Sequence, residues 1–171
     1  STEIEKWLRS EKPITMAIGT GRTLKAVIPG GSSVPIMTAA ETEDCLLDYE
    51  GVVARGSMLG SAGMIVMDDS TDMVYQIWRL ARFYAHESCA QCTQCREGTA
   101  WTTKILERIL AGKGKAADLD LLLSLAENMT GKTICVLSDS CAAPIVSGIA
   151  KFRSEFDAYL SGARQPALAM A

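Results

Sequence analysis

The sequence has a single histidine, no cluster of basic residues, and no apolar run near the roughly 20 residues that cross a bilayer. Without a basic patch, and with a net charge of −3, the electrostatic footprint of nucleic-acid binding is missing. Without a long apolar run, no membrane-spanning helix is expected. The opening STEIEKWLRS lacks the basic and apolar stretches of a secretory signal, and it lacks an initiator Met. A fragment, a processed chain or one piece of a longer polypeptide is expected. No internal repeat is visible. No glycine pattern fits a dinucleotide-binding turn either: GTGR at 19–22 is too short, and PGGSS at 29–33 lacks the GxGxxG spacing with its following acidic residue.

What remains is ordinary for a soluble globular protein. The chain has 171 residues, 48% hydrophobic and 22% charged. That length suits one domain or two small ones, and burying about 70% of the unfolded surface needs no metal to complete a core. The six cysteines are Cys45, Cys89, Cys92, Cys95, Cys135 and Cys141. An even count admits disulfides, but their clustering and the absence of a signal favour metal ligation in a reducing compartment.

The pattern changes near residue 70. Before it, apolar runs in ITMAIGTGRTLKAVIPGGSSVPIM are separated by glycines at 19–21 and followed by a turn cluster at 29–33, the punctuation of hairpins. GMIVMDDS reads as another strand, and 38–59 is ambiguous. After residue 70 the period is helical. TDMVYQIWRLARFYAHES places Met73, Ile77, Leu80 and Tyr84 on one face behind a cap at Thr71 or Asp72. In REGTAWTTKILERILAG, Trp101, Ile105 and Ile109 form a stripe with Leu106 and Leu110, and Gly112 stops it. AADLDLLLSLAENMTG is a third helix. CAAPIVSGIAKFRSEFDAYLSG is expected as a fourth, with Pro144 in its first turn. The expected architecture is α+β: a lead-in at 1–11, a small β unit at 12–70, a four-helix bundle at 71–161 and a loose tail at 162–171.

Cys89, Cys92 and Cys95 fall between the first two helices, and Cys135 falls between the third and fourth. In an up-and-down bundle those connections share one end. A CxxCxxC run with a distant fourth cysteine is the pattern of a [4Fe–4S] cluster, whose four irons each take one thiolate. Zinc more often uses two separated CxxC pairs. Cys141 competes with Cys135 for the fourth place; its plainer role, like that of Cys45, is a small buried side chain.

ESCAQCTQCREGT, IPGGSSVPI, IVMDDSTDMV and KTICVLSD together resemble the NADH-binding flavoprotein subunit of respiratory complex I (NADH:quinone oxidoreductase). The resemblance runs from about Pro13 to Leu160. NAD-linked hydrogenases and formate dehydrogenases contain similar subunits. The resemblance implies a soluble-ligand-binding β-grasp (SLBB) domain followed by a helical bundle with one [4Fe–4S] cluster on Cys89, Cys92, Cys95 and Cys135. It implies that this cluster takes electrons singly from FMN, which accepts hydride from NADH, and passes them to the next cluster in a neighbouring iron–sulfur subunit of the peripheral arm and finally to quinone. The FMN- and NADH-binding domain should precede residue 1, so this chain alone should bind neither and carry no catalytic residue. The location implied is cytoplasmic, peripheral to the inner face of the membrane, or soluble in a hydrogenase or formate dehydrogenase. The chain departs from the family at Gln94, where Pro is usual, and at Cys141, where Cys is not. A zinc- or cluster-stapled module that only docks partners is the alternative from another class.

Arg96 follows the third cysteine and is a candidate for tuning the cluster through its charge; a solvated helix start is the plainer role. His86 is expected to be packed or capping rather than a ligand. IPGGSSVPI is expected to be a tight turn rather than a phosphate cradle. Trp7, Trp78 and Trp101 are conceivable electron relays, but Trp78 and Trp101 read as core or interface residues on bundle helices.

Overall fold

The computed structural model describes residues 21–168. The expected lead-in, Trp7 and the first apolar run at 14–18 lie outside the described residues. The chain divides into two compact units between Thr71 and Asp72.

The first unit holds a three-stranded antiparallel sheet of order β2-β1-β3, with β1 at Leu24–Ile28, β2 at Met37–Thr38 and β3 at Ile65–Asp68. β1 is central, pairing Val27 with both Met37 and Val66. Lys25 interrupts its apolar residues, but Ala26, Val27 and Ile28 are buried in succession, so both faces of its second half are covered. The ambiguous stretch resolves into two short helices. α1 (Ala39–Thr42) starts on a capping box between Thr38 and Glu41, and α2 (Tyr49–Ala54) starts on Asp48, whose Oδ1 accepts from Gly51 N–H at 2.6 Å. Each is too short to show a helical period in the sequence. Met37, Cys45 and Val52 form a small core there, so Cys45 is buried. The PGG turn lies backbone to backbone on the 58–63 loop: Gly31 N–H donates to Gly63 O at 2.7 Å, and a Cβ on Gly30 would stand 2.4 Å from Met58 O.

The second unit is helical: α3 (Met73–Glu87), α4 (Thr93–Leu110), α5 (Ala117–Met129), α6 (Leu137–Lys151) and α7 (Arg153–Leu160). α3 packs on α4, α4 on α5 and α5 on α6, and α6 returns to α3. Asp72 caps α3, its Oδ1 accepting from Tyr75 N–H at 3.1 Å, and Met73, Ile77 and Tyr84 are buried as their spacing requires. Leu80 is half-buried.

Four expectations need correction. The last long helix begins at Leu137, not Cys141, so Pro144 sits inside α6 and removes a backbone bond there. The helix then breaks at Phe152 (φ −121°, ψ 32°), and α7 is a separate element. Trp101 is 52% exposed. The buried arc of α4 runs from Ile105 through Ile109, Thr102 and Leu110 to Thr103, and Trp101 falls about 40° outside it at 3.6 residues per turn. It lines, with Leu121 and Leu125, an open apolar groove of about 240 Å³. Finally, the tail expected to be loose is tied down as far as Ala167, whose N–H donates to Leu110 O at 2.9 Å. Arg164 adds ion pairs to Glu155 at 3.1 Å and Asp72 at 3.3 Å. Among the described residues no helix is long and apolar enough to cross a membrane.

Candidate metal centre

α3 ends at Ser88, and the chain must reverse before α4 begins at Thr93. The reversal is made at Ala90, whose φ of +63° is left-handed for a residue with a Cβ. Such a residue costs about 1–2 kcal/mol, so the surrounding contacts must hold it. They do so from both sides: Ala90 N–H donates to Ser88 Oγ at 3.3 Å, and Arg96 Nη1 donates to Ala90 O at 3.0 Å. Arg96 also pairs with Glu97 at 2.9 Å on the surface. Its visible work is therefore to brace the cysteine loop.

The three cysteines are presented differently. Cys89 is exposed before the reversal, Cys92 is the N-cap of α4, and Cys95 is buried in the first turn. The first backbone N–H groups of a helix have no intrahelical acceptor, and the helix dipole adds partial positive charge there. Cys92 and Cys95 stand at that end of α4. Ser88 Oγ lies 3.3 Å from Cys95 Sγ.

Cys135 lies in the connection between α5 and α6. Ile134 N–H reaches Cys92 Sγ at 3.5 Å, so the loop carrying Cys135 stands directly beside the CxxCxxC turn. Hydroxyls shape that loop. Thr133 Oγ1 donates to Cys135 O at 2.8 Å and shares a hydrogen bond with the hydroxyl of the buried Ser138 at 2.6 Å; Gly131 N–H donates to Asp139 Oδ1 at 2.9 Å. Cys135 is exposed between two exposed apolar neighbours, Ile134 at 85% and Val136 at 74%.

Cys141 is different in kind. It is fully buried one turn into α6, and burial foremost, with Cys95 nearby as the lesser cause, pushes its thiol up to about 12. Burial also raises the Cys45 thiol in the other unit. Both match the expectation of small buried side chains. His86, expected to be packed or capping, is instead exposed in the last turn of α3, with Nδ1 2.9 Å from Glu87 Oε1. Among the described residues nothing covers that face of the helix end. Trp78 is buried, its Nε1 donating to Glu107 Oε1 at 3.3 Å.

All six cysteines are unpaired. Among the described residues no three His, Cys, Asp or Glu side chains are close enough together to hold one metal ion. A four-iron cluster instead asks each thiolate for an iron of its own. The donor set suits that group: three cysteines around a braced reversal, two at a helix N-terminus, and a fourth on the loop touching Cys92. Ser88, Ala90, Thr133 and Ser138 were not singled out in the sequence. A serine just before the first cysteine was the one available signal, because serine readily bonds the backbone two residues on.

The fold and this cysteine-bearing end define an iron–sulfur-binding helical region in one chain with a small β unit. Residues 75–159 match the family model described as the NADH-ubiquinone oxidoreductase-F iron-sulfur binding region. The chain belongs to that family. It is 48% identical over 134 residues to an NADH-quinone oxidoreductase subunit of Rhizobium meliloti (strain 1021), covering 78% of this chain and 31% of that protein. It is 48% identical over 142 residues to the corresponding NADH-quinone oxidoreductase subunit of Streptomyces coelicolor, covering 83% and 31%. Among solved structures it resembles a chain of an NAD+-reducing [NiFe]-hydrogenase in the H2-reduced state. There the TM-score is 0.72 and the identity 33%, over 81% of this chain and 23% of that one. The chain thus spans about a third of the length of the curated relatives it matches.

Proposed function

We propose that this chain is the electron-relay module of an NADH dehydrogenase flavoprotein subunit, holding one [4Fe–4S] cluster on Cys89, Cys92, Cys95 and Cys135. In this reading the first unit is an SLBB β-grasp-like domain (12–70) and the second a four-helix bundle (71–161). The observation that carries it is the contact of Ile134 N–H with Cys92 Sγ, which brings the Cys135 loop to the three-cysteine turn.

When bound, the cluster supplies a one-electron carrier with no open iron, so no bond chemistry is expected at it. The chain's own residues prepare the site. Ala90, held by Ser88 and Arg96, sets the direction of Cys89. The α4 N-terminus presents unpaired N–H groups and partial positive charge beside Cys92 and Cys95. Thr133 fixes the Cys135 carbonyl, and with it the position of the fourth thiolate. Arg96 adds positive charge beside the site, weakened in effect by its pairing with Glu97.

NADH and FMN belong to an upstream domain in this reading, and the electron acceptor to a neighbouring iron–sulfur subunit of the peripheral arm. The location is the cytoplasmic side of the membrane, peripheral to it. A second reading, the same module in an NAD-reducing hydrogenase, is favoured by the likeness to the hydrogenase chain. The relay reading is tested by adding reductants to the anaerobic, cluster-loaded chain and recording EPR. Dithionite should produce a reduced-cluster signal, and NADH without the upstream domain should not. A signal with NADH alone, or none with dithionite, overturns it.

A further inference from the structure

The site contains one hydrogen bond whose direction is settled by ligation. Ser88 Oγ and Cys95 Sγ are 3.3 Å apart, and in a protonated thiol either atom can donate. A metal ligand must be a thiolate, which has no hydrogen. The hydroxyl then has to be the donor. Ser88 has one hydroxyl hydrogen, and its other neighbour, Ala90 N–H at 3.3 Å, uses an Oγ lone pair rather than that hydrogen. The hydrogen is free to point at the sulfur.

We propose that Ser88 donates a hydrogen bond to the Cys95 thiolate and so raises the reduction potential of the cluster. The proposal rests on the iron–sulfur reading above. A donor to a ligating sulfur stabilises whichever state carries more negative charge, and that is the reduced state. The reduction adds one electron and makes or breaks no bond to Ser88, which keeps its hydrogen throughout. Burial makes the contact effective. Cys95 is 7% exposed, so the bond operates where water screens little. Arg96, the charged candidate, is 46% exposed and already paired with Glu97 at 2.9 Å, so solvent and its partner blunt it. The backbone donor at Ile134 is longer, at 3.5 Å, and acts on Cys92. Ser88 is therefore the side chain best placed to set the potential, while also bracing Ala90.

The test is an EPR-monitored redox titration, with dithionite as reductant, of the cluster-loaded chain, its Ser88→Ala variant and its Ser88→Thr variant. Ser88→Ala should shift the one-electron reduction about tenfold toward the oxidised form, which is about 59 mV lower. Ser88→Thr, which keeps the hydroxyl, should titrate with the parent. In heavy water, one exchangeable deuteron coupling to the reduced cluster should be present in the parent and Ser88→Thr and missing in Ser88→Ala. A Ser88→Ala chain with full iron, the parent potential and every coupling intact overturns the proposal and leaves the iron–sulfur reading standing. If Ser88→Ala cannot hold the cluster, Ser88→Thr decides: the parent potential supports a need for the hydroxyl, and loss of the cluster there too overturns it. A parent chain without iron fails the iron–sulfur reading itself.

Discussion

Replacing either of two cysteines by serine separates ligation from packing. Cys135 is exposed and Cys141 fully buried. Cys135→Ser exchanges one exposed polar group for another, a surface change worth within about 0.5 kcal/mol to the unloaded chain. It also removes one of the four thiolates, so the iron should be lost. Cys141→Ser puts a hydroxyl where the structure has buried a thiol that stays protonated. An unsatisfied buried hydroxyl costs about 1–3 kcal/mol. Inside α6 a serine can bond the carbonyl one turn back, which places the expected cost near the lower end, about 1 kcal/mol. For a chain of this size that is a fall of about 2–4 °C in Tm. Circular-dichroism melts of the unloaded chains and iron analysis of the loaded ones give both numbers. The reasoning is refuted if Cys135→Ser keeps its iron. It is also refuted if Cys141→Ser loses iron without losing stability, because Cys141 would then be the fourth ligand.

Two further outcomes follow from the first unit. Asp68 accepts from Ser70 and Arg22, which together hold its carboxyl at about 2 against an ordinary 3.8. A depressed carboxyl stabilises the fold fully above the unfolded value, so this contribution should fade as pH falls from about 3.8 toward about 2. Asp68→Asn should flatten the melting temperature across that window, and an unchanged pH profile would contradict the assignment. Gly30→Ala should cost about 3 kcal/mol in urea unfolding, because its Cβ would meet backbone at 2.4 Å and 2.8 Å, atoms that cannot swing aside as a side chain does. A loss below about 1 kcal/mol would show that the PGG turn opens easily.

Legibility in the sequence followed the length and regularity of each pattern. α3 was readable because Asp72 caps it and its apolar residues recur at helical spacing over four turns. β1 was readable from its short apolar run Ala26–Ile28, buried on both faces and followed by the turn cluster at 29–33. α1 and α2 were not, because one or two turns cannot display a period. The start of α6 was hidden because no capping side chain marks it: Val136 stands at the N-cap and makes no side-chain cap bond. The break at Phe152 has no glycine or proline to announce it. At the candidate site, the spacing of Cys89, Cys92 and Cys95 was plain. The left-handed turn at Ala90 was not, since nothing in an alanine signals positive φ; its support comes from Ser88 and Arg96, one before it and one six residues after.

The central claim is that four thiolates at one end of the helical unit hold a four-iron cluster. It is tested most directly by counting iron, acid-labile sulfide and zinc in the anaerobically purified chain. About four irons and four sulfides per chain, with broad absorption near ~400 nm, is the predicted result. A colourless chain containing one zinc and no iron would contradict it.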